Sequence, residues 1–135
     1  MRAKEFLSQL RRSALKVKIM GEQLRLMRET SSSISPVLSN MPRSSTPNIR
    51  RNEDAIVRIM DLESALYDEL GKLADIHRTI FSVKDTLRYA VLVDRYIKGE
   101  SWEVIAHDLD LSLRRVHQIH KAALAEIEAY MPALH

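Results

Sequence analysis

The 135-residue chain has no cysteine, only three glycines and four prolines, and few aromatics: one Trp, two Phe and four Tyr. Without cysteine there is no disulfide, no thiolate metal site and no cysteine nucleophile. So few glycines and aromatics leave little for tight hairpin turns or half-buried sheet faces. No apolar run reaches the length of a membrane span or a signal-peptide core, which predicts no membrane partner and a cytoplasmic setting. A Gly-rich phosphate loop, a nucleophile–base pair and a carboxylate cluster in a pocket-forming context are also missing. The expectation is a protein that is not an enzyme and takes no cofactor. What is abundant is Leu, Ala, Ile, Glu, Lys and Arg, a helical composition that predicts an all-α fold.

Charge is unevenly placed. The net charge is +3, yet residues 1–29 hold eight Lys/Arg against three Glu, and residues 85–135 hold six Lys/Arg against eight Asp/Glu. An acidic C-terminal third argues against strong non-specific affinity for nucleic acid. Within it, residues 112–121 carry Arg114, Arg115 and Lys121 and no acid.

Two long helical stretches follow from periodicity. Over 4–29, Phe6, Leu10, Val17, Met20, Leu24 and Met27 keep a three-four spacing that only Ser13 interrupts. Residues 30–51, with seven serines and three prolines, read as a flexible linker. Asn52 is the expected N-cap of the next helix, where Ile59, Leu66, Leu73, Ile80 and Leu87 recur every seven residues. Its companion seam is Leu62, Glu69, Ile76 and Val83. This is a coiled-coil pattern, and the two helices, each roughly 40–45 Å long, predict an antiparallel hairpin over 1–84. An apolar stripe of that length must pair within the chain or with a second copy, so a homodimer through the coiled coil is one expectation.

A helix-turn-helix is expected within 85–131. Asp85 caps a helix that ends at Gly99, Ser101 caps the next, Asp110–Leu111 make the turn, and Ser112 caps the last. Trp102, Ile105, Ala106, Leu109, Leu111, Val116 and Ile119 have the spacing two steeply crossing helices need, with Ala106 small at their closest approach. Arg114, Arg115, His117, Gln118 and Lys121 are left facing outward, able to bond phosphates and base edges. His117 and His120 stand three apart, but no cysteine or convergent carboxylate completes a metal site with them.

The stretch from Leu87 to Leu124 resembles region 4 of bacterial sigma factors. The likeness lies in Tyr96–Ile97–Lys98–Gly99, Ser101 to Ala106, Leu109, Leu111–Ser112, Val116, Gln118–Ile119 and Ala123–Leu124. The whole layout is similar to that of small prophage proteins of undefined role. These open on an MRAKEFL-like helix and carry a G-x-SW-x-x-IA motif. The sigma resemblance implies DNA contacts at Leu113, Arg114, His117 and Gln118, with Ser112, Arg115 and Lys121 on phosphates. Leu113 stands where sigma factors commonly place an arginine, and Arg114 where they commonly place a glutamate, so a different sequence would be read. Promoter opening needs a second domain rich in clustered aromatics, and before Tyr89 only Phe6, Tyr67 and Phe81 occur. An independent sigma factor is therefore not expected.

The expected function is a phage-type, sequence-specific binder of double-stranded DNA that regulates transcription in a bacterial host cell, with RNA polymerase as a further partner. Two alternatives stand beside it: DNA recognition during phage packaging, as in a small terminase subunit, and a coiled-coil adaptor whose head binds protein only.

Overall fold

A computed structural model describes residues 2–39 and 46–131, with side chains described outside 31–39 and 46–50. Five α-helices are present among them: α1 (Arg2–Ser39), α2 (Thr46–Phe81), α3 (Thr86–Leu92), α4 (Trp102–Leu109) and α5 (Leu113–Tyr130). A wider π-helical turn, Val93–Ile97, continues α3. The described residues contain no strand, and none of their helices is long and apolar enough to cross a membrane.

Helix ends differ from expectation. The backbone of α1 stays helical through Ser39, and α2 begins at Thr46 rather than after Asn52. The expected linker over 30–51 therefore contributes its flanks to helices, while 40–45 lie outside the described residues. An established helix gains one hydrogen bond for each residue it adds, so it can carry residues of modest propensity such as serine and threonine. Thr30 shows the local device, its hydroxyl donating to the Leu26 carbonyl at 2.9 Å. Pro47 falls in the first turn of α2, where an amide N–H would have no intrahelical acceptor.

Two compact units emerge: Leu15–Gly71, and a head made of Met1–Ala14 with Lys72–His135. The cut differs from the expected boundary at 84/85, because both long helices give their outer ends to the head.

In the Leu15–Gly71 unit α1 and α2 run antiparallel. Ion pairs Lys16–Glu69 (3.7 Å) and Arg28–Glu63 (2.7 Å) set the register, one number rising as the other falls. Met20 and Leu24 are buried, and Ile59, Leu62 and Leu66 are half-buried. Glu69, the charged break in the apolar seam, is only 7% exposed and takes Lys16 as its counter-ion.

Two adjoining cores build the head. In the larger, Ala3, Leu7 and Leu10 of α1 meet Ile76, Ile80 and Val83, Leu92 and Tyr96, and Ala123, Leu124 and Ile127 of α5. Glu128 closes this corner, accepting from the Ala3 amide at 2.9 Å. The smaller holds Val91, Ile105, Ala106, Val116 and Ile119, edged by Trp102, Leu109 and Leu111. The chain breaks at 82–85, where Asp85 caps α3 by accepting from the Arg88 amide at 3.0 Å. Leu87, expected to continue the heptad seam, lies past this break and is exposed. Gly99 is required at its position: φ is +74°, and a Cβ would run into the Arg11 guanidinium.

Candidate nucleic-acid interface

The helix-turn-helix is fixed by two side-chain caps and one left-handed residue. The Ser101 hydroxyl accepts from the Val104 amide at 3.2 Å and starts α4. Asp110 ends α4 at φ 57°, ψ 47°, a left-handed conformation that Asp tolerates better than most residues. The Leu111 amide donates back to the Ala106 carbonyl at 2.9 Å, which ties the turn to the small residue at the helix crossing. Ser112 then accepts from the Arg115 amide at 3.1 Å and starts α5.

Burial on α5 separates its two faces. Val116, Ile119, His120, Ala123, Leu124 and Ile127 are buried. At 100° per residue, Arg114, Gln118 and Lys121 form a ridge directly opposite, with Arg115 on one flank and His117 on the other. All five are exposed, and Arg114, Arg115 and Lys121 have no acidic partner among the described residues. Leu113 opens the helix at 42% exposure, an apolar contact at its N-terminal tip.

Two of the seven expected site residues carry a second task. Ser112 uses its oxygen to cap α5, which leaves its O–H free to donate outward. His117 packs its ring 4.8 Å from Trp102, so it sits at the edge of the smaller core as well as on the outer face. Trp102 is half-buried; Arg95 lies 4.4 Å above its ring and His120 meets it edge-on at 4.6 Å. Arg95 also donates to the Glu100 carbonyl at 3.0 Å, and its place was not evident from the sequence.

His120 stands apart from its neighbour His117. It is 7% exposed, and its Nε2 lies 2.7 Å from the Tyr96 hydroxyl. Burial, reinforced by the charges of Lys4, Arg95 and His117, pushes its pKa down to about 4. Burial pushes the Tyr96 phenol up to about 12. At neutral pH the imidazole is uncharged and the phenol keeps its proton, and the two share a hydrogen bond whose direction follows the tautomer of the ring. That nitrogen is committed to the core. The signal in the sequence was a histidine in the apolar phase of α5.

The acid of the head gathers away from residues 112–121. Carboxylate oxygens of Asp94, Glu100 and Asp108 lie within 4.8 Å of one another, and the Lys98 ammonium reaches Asp94 at 3.3 Å. Burial, then Asp94 and Asp108, raises the Glu100 pKa. Hydrogen bonding and attraction to Asp94 raise that of Lys98. These groups lie on the π turn, the loop after it and α4, so the negative balance of the head leaves the outer face of α5 positive.

A small polar-faced helix on a rigid crossing, unpaired cations along one ridge and an N-terminal tip free of acid form an arrangement able to enter a DNA groove. Residues 88–128 match the family described as Sigma-70, region 4. That is a DNA-binding helix-turn-helix domain, and the match runs from α3 to the last turn of α5. No curated protein and no solved structure matches the chain. The region 4 match omits α1 and the end of α2, although Leu7, Leu10, Ile76 and Ile80 complete the larger core of the head.

Proposed function

We propose that this chain is a sequence-specific DNA-binding regulator of transcription that acts by binding and not by catalysis. In this reading α5 lies in the major groove of double-stranded DNA. Arg114 and Gln118 read base edges, since their planar forks suit guanine and adenine, and Leu113 touches a thymine methyl group. Ser112, Arg115 and Lys121 bond phosphates, and His117 contributes from the flank. The observation that carries the reading is the exposed ridge Arg114–Gln118–Lys121, opposite the core of a region 4 fold and free of acidic partners.

One such head makes few phosphate contacts. Useful affinity requires a second head on the same DNA or tethering to a partner such as RNA polymerase. The Leu113–Arg114 pair, unlike the usual arginine–glutamate order of sigma factors, supports a target other than an ordinary promoter element. The MRAKEFL opening, similar to that of small prophage proteins, supports a phage setting. Mobility shifts on random DNA fragments at two salt concentrations test the proposal. A shift that weakens with salt is expected, and a protein that never shifts DNA at low salt contradicts it.

A further inference from the structure

A polar pocket of about 270 Å³ opens in the head between the start of α1 and the π turn. Leu7, Ser8, Arg11, Arg95, Tyr96 and Gly99 line it, two arginines and no carboxylate. Neither Arg11 nor Arg95 has an acidic partner among the described residues. The nearby carboxylate of Glu100 gathers instead with Asp94 and Asp108. Lys4 of α1 lies within electrostatic reach, since after burial it is the charges of Lys4 and Arg95 that lower the His120 pKa.

Both arginines are held in place by neutral groups. Arg11 lies over Gly99, where a Cβ would collide with its guanidinium, and its Nη1 donates to the Ile97 carbonyl at 3.3 Å. Arg95 donates from Nη1 to the Glu100 carbonyl at 3.0 Å and rests 4.4 Å above the Trp102 ring. The loop after the π turn thus fixes both side chains and compensates neither charge. Each guanidinium keeps further N–H groups for a ligand. Two like charges on one pocket repel, and an anion between them relieves that repulsion. Guanidinium forks match the oxygens of phosphate and carboxylate in bidentate pairs. A terminal phosphate, with up to two charges and three acceptor oxygens, balances both arginines, where a carboxylate balances one.

We propose that this pocket binds a phosphate group between Arg11 and Arg95. Arg11 lies outside residues 88–128, so the site is not a property of the region 4 match alone. Arg95 and His117 stand on the same Trp102 ring, at 4.4 and 4.8 Å, which sets the pocket beside the flank of α5. Two sources supply such a group: a free phosphorylated molecule, and the singly charged backbone of DNA passing that flank. Only the second source rests on DNA reading by α5, and the pocket stands on its own geometry.

Trp102 is the only tryptophan of the chain and lies under Arg95, so its emission reports filling of the pocket. The full chain is titrated with inorganic phosphate and with pyrophosphate, at ionic strength held constant with chloride. A saturable change at millimolar concentration is expected, and none with acetate. Arg11→Gln should weaken phosphate binding roughly tenfold. Arg12→Gln, exposed and outside the pocket, loses the same charge and should not. Arg11→Lys keeps the charge without the fork and should fall between wild type and Arg11→Gln. If Arg11→Gln lowers the melting temperature, Arg11→Lys decides alone and must bind both anions more weakly than wild type. A DNA source predicts that Arg11→Gln reduces the salt slope of DNA binding by about one relative to Arg12→Gln. Equal slopes with lost phosphate binding assign the pocket to a free phosphorylated molecule. A chain that binds phosphate through Arg11 but binds no DNA keeps the pocket and loses the reading of α5. The proposal is overturned if Arg11→Gln and Arg12→Gln match in both the anion titration and the salt slope, or if acetate matches phosphate.

Discussion

The Tyr96 hydroxyl lies 2.7 Å from Nε2 of His120 and joins the π turn after α3 to the buried face of α5. Burial holds this imidazole in its neutral form. The cations Lys4 and Arg95 face it, and Trp102 packs edge-on to it, so a proton on His120 would be both buried and repelled.

Acid should therefore loosen the head in a defined window. The pKa of His120 falls from an ordinary 6.5 to about 4 on folding, so the unfolded chain binds the proton more tightly. The stabilisation is complete above pH 6.5 and is lost as pH falls towards 4, by at most about 3 kcal/mol. Thermal melts across that range should show a falling midpoint, and His120→Gln, neutral throughout, should flatten the slope. An unchanged slope in the variant would assign acid sensitivity to other groups.

Ser112 separates stability from binding. Ser112→Ala should cost about 1 kcal/mol of stability by removing the cap of α5, and should also weaken DNA binding. Ser112→Asp can cap equally well but sets a negative charge beside phosphate. It should keep the melting temperature and lose more affinity than Ser112→Ala.

Leu7 lies far outside the helix-turn-helix in sequence, yet it is fully buried in the larger core of the head. Leu7→Ala should destabilise the head by about 2–5 kcal/mol. Chemical denaturation of the full chain measures it. A loss below about 0.5 kcal/mol would mean that the start of α1 does not belong to the core.

Ser13 predicts the opposite sign. Its side chain is buried and its hydroxyl oxygen has no hydrogen-bond partner. Ser13→Ala removes an unsatisfied polar group and favours the helix, so it should raise stability by about 1 kcal/mol. The same denaturation experiment reads it.

The sequence made the local rules of the head legible. Asp85, Ser101 and Ser112 each hold the amide three residues on, and Asp110 adopts the left-handed turn, because caps and turns depend on residues a few positions apart. Tertiary choices were less visible. Nothing local says that Ala3, Leu7 and Leu10 continue the core of α5, since the residues they meet stand more than sixty positions away. Helix length was underestimated for a similar reason: a helix once formed gains a hydrogen bond for each residue it adds and can carry residues of modest propensity such as Ser and Thr. Glu69 read as a flaw in the seam, and its counter-ion Lys16 lies on the other helix. All seven residues expected at the interface are exposed, five of them on the outer side of α5 and Ser112 and Leu113 at its N-terminal end. Only geometry separated the ridge Arg114–Gln118–Lys121 from the doubly employed Ser112 and His117.

Lys121 should act differently from its neighbours on the ridge. Its replacement by Ala should weaken binding to all DNA sites alike and reduce the salt slope by about one.

The most direct measurement is selection of bound DNA from a random pool by the wild-type chain, Arg114→Ala and Gln118→Ala. One enriched motif is expected for the wild type, with preference lost at a different base position in each variant and affinity lower by about 1–3 kcal/mol. No enriched motif, or the same motif at the same affinity in both variants, would contradict base reading by α5.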